Sequence, residues 1–209
     1  EITETFSEVV GFPIAQTEWE QEITMSELSR FKSMVLGPGL GRSNSTIKSL
    51  RKVISSINSP LVLDGDALFA IGENFSVDHD SETTTILTPH DQEFKYLTGH
   101  RPSKNRIEDV REAAQRMNVV MLLKGPVTII GNPDGRCFVV TAGDERLATA
   151  GTGDVLSGII GGMLAQGVAP LEAATIGAWV HGQASKRCSK FGMVASDLLN
   201  PISEVLDET

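Results

Sequence analysis

The sequence predicts an α/β domain with a mostly parallel central sheet covered by helices on both faces. Short, fully apolar runs alternate with longer stretches of helical periodicity, the order that parallel strands joined by crossover helices require. The runs lack the polar alternation of strands with one wet face, so each is expected to be buried on both sides. Nearly every run also ends on a Gly, an acid, a His or a Lys, and a parallel sheet gathers its ligand-binding loops at the carboxyl ends of its strands.

Taken in order, residues 1–30 hold seven Glu against one Arg, with Pro13 interrupting, and read as an irregular or partly helical surface segment. Met34-Val35-Leu36 is a strand that runs into Gly37-Pro38-Gly39-Leu40-Gly41. A helix with a polar start at Ser43-Asn44 follows, its apolar face at Ile47, Leu50, Val53, Ile54 and Ile57. Pro60-Leu61-Val62-Leu63 is a second strand, closed by Asp64-Gly65-Asp66. Thr84-Thr85-Ile86-Leu87 is a third, and Thr88-Pro89-His90-Asp91 reads as a helix start with Thr88 as cap and Pro at the first position. That helix is expected to stop at Gly99. Residues from Arg106 to Met117 place Ile107, Val110, Ala113, Ala114 and Met117 on one helical face. Val119 to Leu123 is a fourth strand, with Lys124-Gly125-Pro126 at its carboxyl end. Thr128-Ile129-Ile130 and Cys137-Phe138-Val139-Val140 flank the turn residues Asn132-Pro133-Asp134-Gly135 and predict a hairpin. Two Ala- and Gly-rich helices, Asp154 to Gln166 and Pro170 to Lys186, and an amphipathic piece from Ala195 to Leu206 complete the chain. No repeat or linker divides residues 1–209, so one domain is expected.

With 27 Asp plus Glu against 18 Lys plus Arg, the net charge of −9 argues against a nucleic-acid partner or an anionic membrane surface held by a basic field. No apolar run approaches the roughly eighteen residues of a membrane span, and the start lacks a basic-then-apolar secretory pattern. A soluble, cytoplasmic protein is therefore expected. Cys137 and Cys188 have no C-x-x-C spacing and read as reduced, structural thiols.

The segment Ala150-Gly151-Thr152-Gly153-Asp154 leads straight into an apolar helix. Its glycines let main-chain N–H groups turn toward an anion at the positive end of that helix. Asp154, in the first turn, either accepts a proton from a hydroxyl held against that anion or caps the helix. The Gly37–Gly41 run is neither a phosphate-binding Walker sequence nor the dinucleotide fingerprint, and alone it reads equally as a tight turn. Asp64 and Asp66 either hold Mg²⁺ through water or cap the next helix, and local chemistry favours capping. His90 is a cap, a core residue or a substrate contact; Lys124 meets a nucleotide phosphate or ribose, or solvent. With no nucleophile elbow and no zinc cluster, phosphoryl transfer fits the set best, since it asks for anion stabilisation, a metal and one base.

Five ordered motifs, Gly37–Gly41, Leu63-Asp64-Gly65-Asp66-Ala67-Leu68, Leu87-Thr88-Pro89-His90-Asp91-Gln92-Glu93-Phe94, Lys124-Gly125-Pro126-Val127-Thr128 and Ala150-Gly151-Thr152-Gly153-Asp154-Val155-Leu156-Ser157-Gly158, resemble those of the ADP-dependent NAD(P)H-hydrate dehydratases of the ribokinase-like superfamily. The same domain forms the carboxyl-terminal part of bifunctional NAD(P)H-hydrate repair enzymes. The resemblance implies that hydrated NADH or NADPH is restored with ADP: the ring hydroxyl is phosphorylated, then phosphate is eliminated, leaving AMP and phosphate. It implies Asp154 as the base and Gly151, Thr152 and Gly153 as the anion hole. Lys124, Gly125, Pro126, Val127 and Thr128, with Gly153, would contact the nucleotide. Gly37, Gly39, Gly41, His90 and Asp154 would face the hydrated dinucleotide. Mg²⁺, a homotetramer and a cytoplasmic location are implied with them. Two departures stand out. Family members usually begin with a further strand and Gly-rich segment, so an amino-terminally incomplete or shortened domain is expected, with a sheet edge that needs covering. Asp91-Gln92 stands where relatives often show Pro-Gly. The alternatives are another small-molecule kinase of the superfamily and a non-catalytic nucleotide binder.

Overall fold

The computed structural model describes residues 28–77 and 84–208. The acidic segment read over residues 1–30 therefore lies almost wholly outside the described residues.

Six strands form one sheet whose spatial order is the chain order: β1 (Met34–Leu36), β2 (Leu61–Leu63), β3 (Thr85–Leu87), β4 (Val120–Leu123), β5 (Thr128–Gly131) and β6 (Cys137–Val140). The first four are parallel, and the expected hairpin adds β5 and β6 antiparallel. Successive crossovers carry α1 (Asn44–Ser56), α2 (Asp66–Ile71), α3 (Asp91–Thr98) and α4 (Arg106–Met117) to one face. The other face is covered by α5 (Thr152–Ala165) and α6 (Pro170–Arg187), and α7 (Leu199–Asp207) packs on α6.

The strands alternate between two cores, as a period of two demands. Leu61, Leu63, Leu87, Met121, Leu123 and Ile129 pack under α1 to α4. Val62, Ile86, Val120, Leu122 and Ile130 pack under α5 and α6. β2, β3 and β4 are buried along their whole length, as the uniformly apolar runs of β2 and β4 predicted. Among the described residues, β1 and β6 are the two edges of the sheet, and no helix is long and apolar enough to cross a membrane. Both cysteines are free thiols.

Register aligns the strand tips. Leu36 lies beside Leu63, and Leu63 beside Leu87, and main-chain bonds continue the ladder past the strands. The Asp64 amide donates to the Leu36 carbonyl at 3.0 Å, that of Thr88 to Leu63 at 3.2 Å, and that of Lys124 to Pro89 at 2.8 Å. Four consecutive tips thus present Gly37, Asp64, Thr88 to His90, and Lys124 along one rim.

Candidate active site

The Gly-rich turn after β1 folds over the β2 tip. Gly37 has φ +124°, and a Cβ there would lie 1.7 Å from the Asp64 carbonyl oxygen, so only glycine fits. The turn is held by Asp66, whose carboxylate accepts the Gly41 amide at 2.7 Å and Arg42 Nε at 2.6 Å. The capping expectation for the acid pair is thereby corrected. Gly65 is the N-cap of α2 with no side-chain cap bond, because both carboxylates are drawn to partners from other elements.

Asp64 is 2% exposed. Its Oδ1 accepts Lys124 Nζ at 2.8 Å and the Gly65 amide at 2.9 Å, and its Oδ2 accepts the Ser157 hydroxyl at 2.7 Å. Lys124 is also 3.7 Å from Glu93 Oε2, so the ammonium lies between two buried carboxylates.

The start of α3 departs from expectation in register. Its N-cap is His90, two residues after Thr88. Thr88 is fully buried, and its amide and hydroxyl both donate to the Leu63 carbonyl of β2, so it is unavailable to cap the helix. His90 Nδ1 accepts the amides of Gln92 and Glu93 at 3.1 and 3.2 Å, and Glu93 Oε2 accepts the His90 amide at 2.8 Å, completing a capping box. With Nδ1 committed as an acceptor, the ring proton of the neutral tautomer is assigned to Nε2, which lies 3.5 Å from Glu93 Oε1. Asp91 is paired with Arg106, whose guanidinium holds its carboxyl below the usual carboxylate range.

Above the rim, α5 begins two residues before Asp154, with Gly151 as N-cap at φ +87°. Asp154 makes no cap bond, which removes the capping alternative. Thr152 fastens the turn: its hydroxyl donates to the carbonyls of Leu147 and Thr149, and its amide to Thr149 at 3.3 Å. First-turn amides have no acceptor within the helix, which leaves those of Gly153 and Asp154 for a ligand. A Cβ on Gly153 would lie 3.4 Å from Lys124 Nζ and 3.9 Å from Asp64 Oδ2, so the turn rests directly on the ion pair. The Asp154 carboxyl is exposed, and its pKa is raised, first by partial burial and then by the charge of Asp64, against the opposing pull of Lys124.

The structure therefore brings together Gly37, Asp64, His90, Lys124 and Gly151 to Asp154. Gly39 and Gly41 continue the rim of the β1 turn, and Gly125, Pro126, Val127 and Thr128 lead from Lys124 into β5. Three residues escaped the sequence reading. Glu93 stood in a quoted motif without a role. Ser157 was legible only as a small residue three positions after Asp154. His181, on α6, is 5% exposed, bonds the Thr152 main chain and has no partner at Nε2; burial lowers its pKa to about 4, so it is neutral at physiological pH. Among the described residues, no group of three or more His, Cys, Asp or Glu is disposed to hold a metal ion.

Residues 1–207 match the sequence pattern of a family described as NAD(P)H-hydrate dehydratase. The chain is 34% identical over 206 residues to the ADP-dependent (S)-NAD(P)H-hydrate dehydratase of Neisseria meningitidis serogroup B, covering 93% of this chain and 67% of that protein. It is 35% identical over 189 residues to the bifunctional NAD(P)H-hydrate repair enzyme of Moorella thermoacetica, covering 87% of this chain but only 36% of that longer relative. Its fold superposes with a TM-score of 0.75 on the ADP/ATP-dependent NAD(P)H-hydrate dehydratase of Bacillus subtilis co-crystallised with ATP and Mg²⁺, at 30% identity, covering 85% of this chain and 66% of that one.

Proposed function

We infer the reaction from one premise: this chain belongs to the NAD(P)H-hydrate dehydratase family and has its ribokinase-like fold. We propose that it dehydrates NAD(P)H hydrate at the expense of ADP, acting as a nicotinamide-nucleotide repair lyase within a single domain. The observation that carries this is the placement of Asp154. Its carboxyl makes no cap bond in the first turn of α5, and it lies beside open amides over the half-buried Lys124.

In this reading the hydroxyl on the hydrated ring donates its proton to Asp154 as its oxygen takes the terminal phosphoryl of ADP, releasing AMP. The Gly151-Thr152-Gly153 turn holds the transferring group, with the amides of Gly153 and Asp154 pointing at the charge that develops and the α5 N-terminus adding its dipole. The new phosphoester then leaves as phosphate with the C–O bonding pair, an adjacent ring carbon loses a proton, and the ring double bond returns. His90, Gly37, Gly39 and Gly41 face the dinucleotide and shape its side of the cleft. Lys124 to Thr128 face the nucleotide.

The protein donor set does not form a metal cage by itself. It suits a Mg²⁺ ion carried in by the nucleotide, held mainly by phosphate oxygens and water, which would neutralise charge on the phosphoryl group. A homotetramer in the cytoplasm belongs to the same proposal. The test mixes the purified chain with hydrated NADPH, Mg²⁺ and ADP and follows the return of dihydronicotinamide absorbance. Asp154→Asn should stay folded and bind ADP while turnover falls about a hundredfold or more, the range for loss of a general base. A stable phosphoester product would instead identify a kinase.

A further inference from the structure

We propose that Asp64 is the positioning residue of this site: its carboxylate, pinned between Lys124 and Ser157, fixes the Asp154 turn of α5 over the tips of β2 and β4. The inference deepens the proposed reaction and rests on Asp154 acting as its base.

Asp64 meets the requirement for a buried charge, a cationic partner plus enough neutral donors for its other lone pairs. Lys124 comes from the β4 tip, the Gly65 amide from the β2 tip, and Ser157 from α5. The three donors thus belong to three elements that are joined by no other polar side-chain bond at this point among the described residues. Ser157 is itself fully buried and lies three residues beyond Asp154, on the neighbouring part of the same helical surface. A bond from Ser157 to a fixed carboxylate sets both the rotation and the height of the first turn of α5. The close approach of Gly153 to both Lys124 Nζ and Asp64 Oδ2 shows the turn seated on that bond. A nonpolar side chain at 64 would fill the same volume but would leave the ammonium and the hydroxyl buried without their partner.

The same arrangement sets the charge around the base. Asp64 faces Asp154 from β2 and Lys124 faces it from β4. Glu93 reaches the group from α3 through Lys124, and His181, neutral, touches the Thr152 main chain from α6. Partial burial first, and then the Asp64 carboxylate, raise the pKa of Asp154 against the opposing pull of Lys124, which makes it a better base near neutral pH.

The experiment compares pH profiles of kcat, and KM for ADP, in the parent chain and in Asp64→Asn, Ser157→Ala and Asp154→Asn, with folding checked by thermal melting and ADP binding by calorimetry. In Asp64→Asn the acidic limb of kcat should move to lower pH and the plateau should fall roughly tenfold, while ADP affinity is kept. Ser157→Ala should lower kcat several-fold, roughly, with the limb unmoved, since the charge remains and only the tether is lost. A folded, ADP-binding Asp64→Asn with an unmoved limb overturns the inference. So does a Ser157→Ala chain with parental kcat, which decides the matter if Asp64→Asn fails to fold. Parental turnover in Asp154→Asn would instead end the reading of the base itself.

Discussion

On one face of the sheet, α1 to α4 meet the strands with Leu50, Leu68, Phe94, Leu97 and Met117, all fully buried; on the other, α5 supplies Leu156, Ile160 and Leu164, while α6 supplies Leu171 and otherwise the small Ala173, Ala174 and Ala178, with glycines at the closest approaches. The second layer is defined by side chains that are missing. A Cβ on Gly161 would lie 2.6 Å from Val35 Cγ2, one on Gly177 2.9 Å from Ile160, and one on Gly182 2.6 Å from the Gly143 amide nitrogen. Large side chains hold a helix layer away from its sheet and remove much apolar area from water. Small residues contribute less area but let the backbone come close. The difference teaches where the chemistry belongs: the helix that must lower its first-turn amides and Asp154 onto the strand tips lies in the thin layer.

The comparison predicts that substitutions in the thick layer cost stability and those in the thin layer cost geometry. Leu50→Ala should lose about 2–5 kcal/mol in urea unfolding, through lost burial and a cavity, while turnover per folded molecule stays at the parental value. A drop in turnover matching the loss of stability would erase the distinction. The thin layer also carries a titration. Because burial lowers the folded-state pKa of His181 to about 4, below its usual 6.5, its contribution is full above pH 6.5. Over the window from 6.5 down to 4 the unfolded chain takes up a proton that the folded one refuses, so stability falls as pH falls, by at most about 3 kcal/mol. His181→Gln should remove that component from the pH dependence of melting, and an unchanged slope would contradict it. A loss of similar size is expected in Gly182→Ala. Its methyl meets the main chain of Ala142 and Gly143, and about 1–3 kcal/mol is expected. Turnover should fall as well, because α6 must move against the segment that leads into the Gly151 turn; parental turnover would show that the close approach is not needed by the site.

Much of the fold was legible in the sequence because its signals are local. Helical periodicity placed α4 at Arg106 to Met117, and the turn residues Asn132 to Gly135 announced the hairpin. The start of α3 was misplaced by two residues, since Thr88 and His90 are both adequate caps locally and the bond of Thr88 to β2 chose between them. Within the site, the glycines at 37 and 151 and the acid at 154 were readable from type and spacing.

The order of strands and helices, the burial of the strands on both sides and the gathering of reactive residues at strand ends were determined by the sequence itself, through residue patterns whose periods span a few positions. Which partner each buried polar group takes was decided only by the tertiary structure. Asp64 meets Lys124 and Ser157 across 60 and 93 residues of chain, and Asp66 turns to the glycine loop 25 residues before it, away from the helix it begins. A carboxylate at a helix start has a local solution in capping, but one that is buried also needs a cation and further donors, which its own helix does not supply. The requirement of buried Asp64 overrides the local preference, and it is met only once the strand tips are side by side.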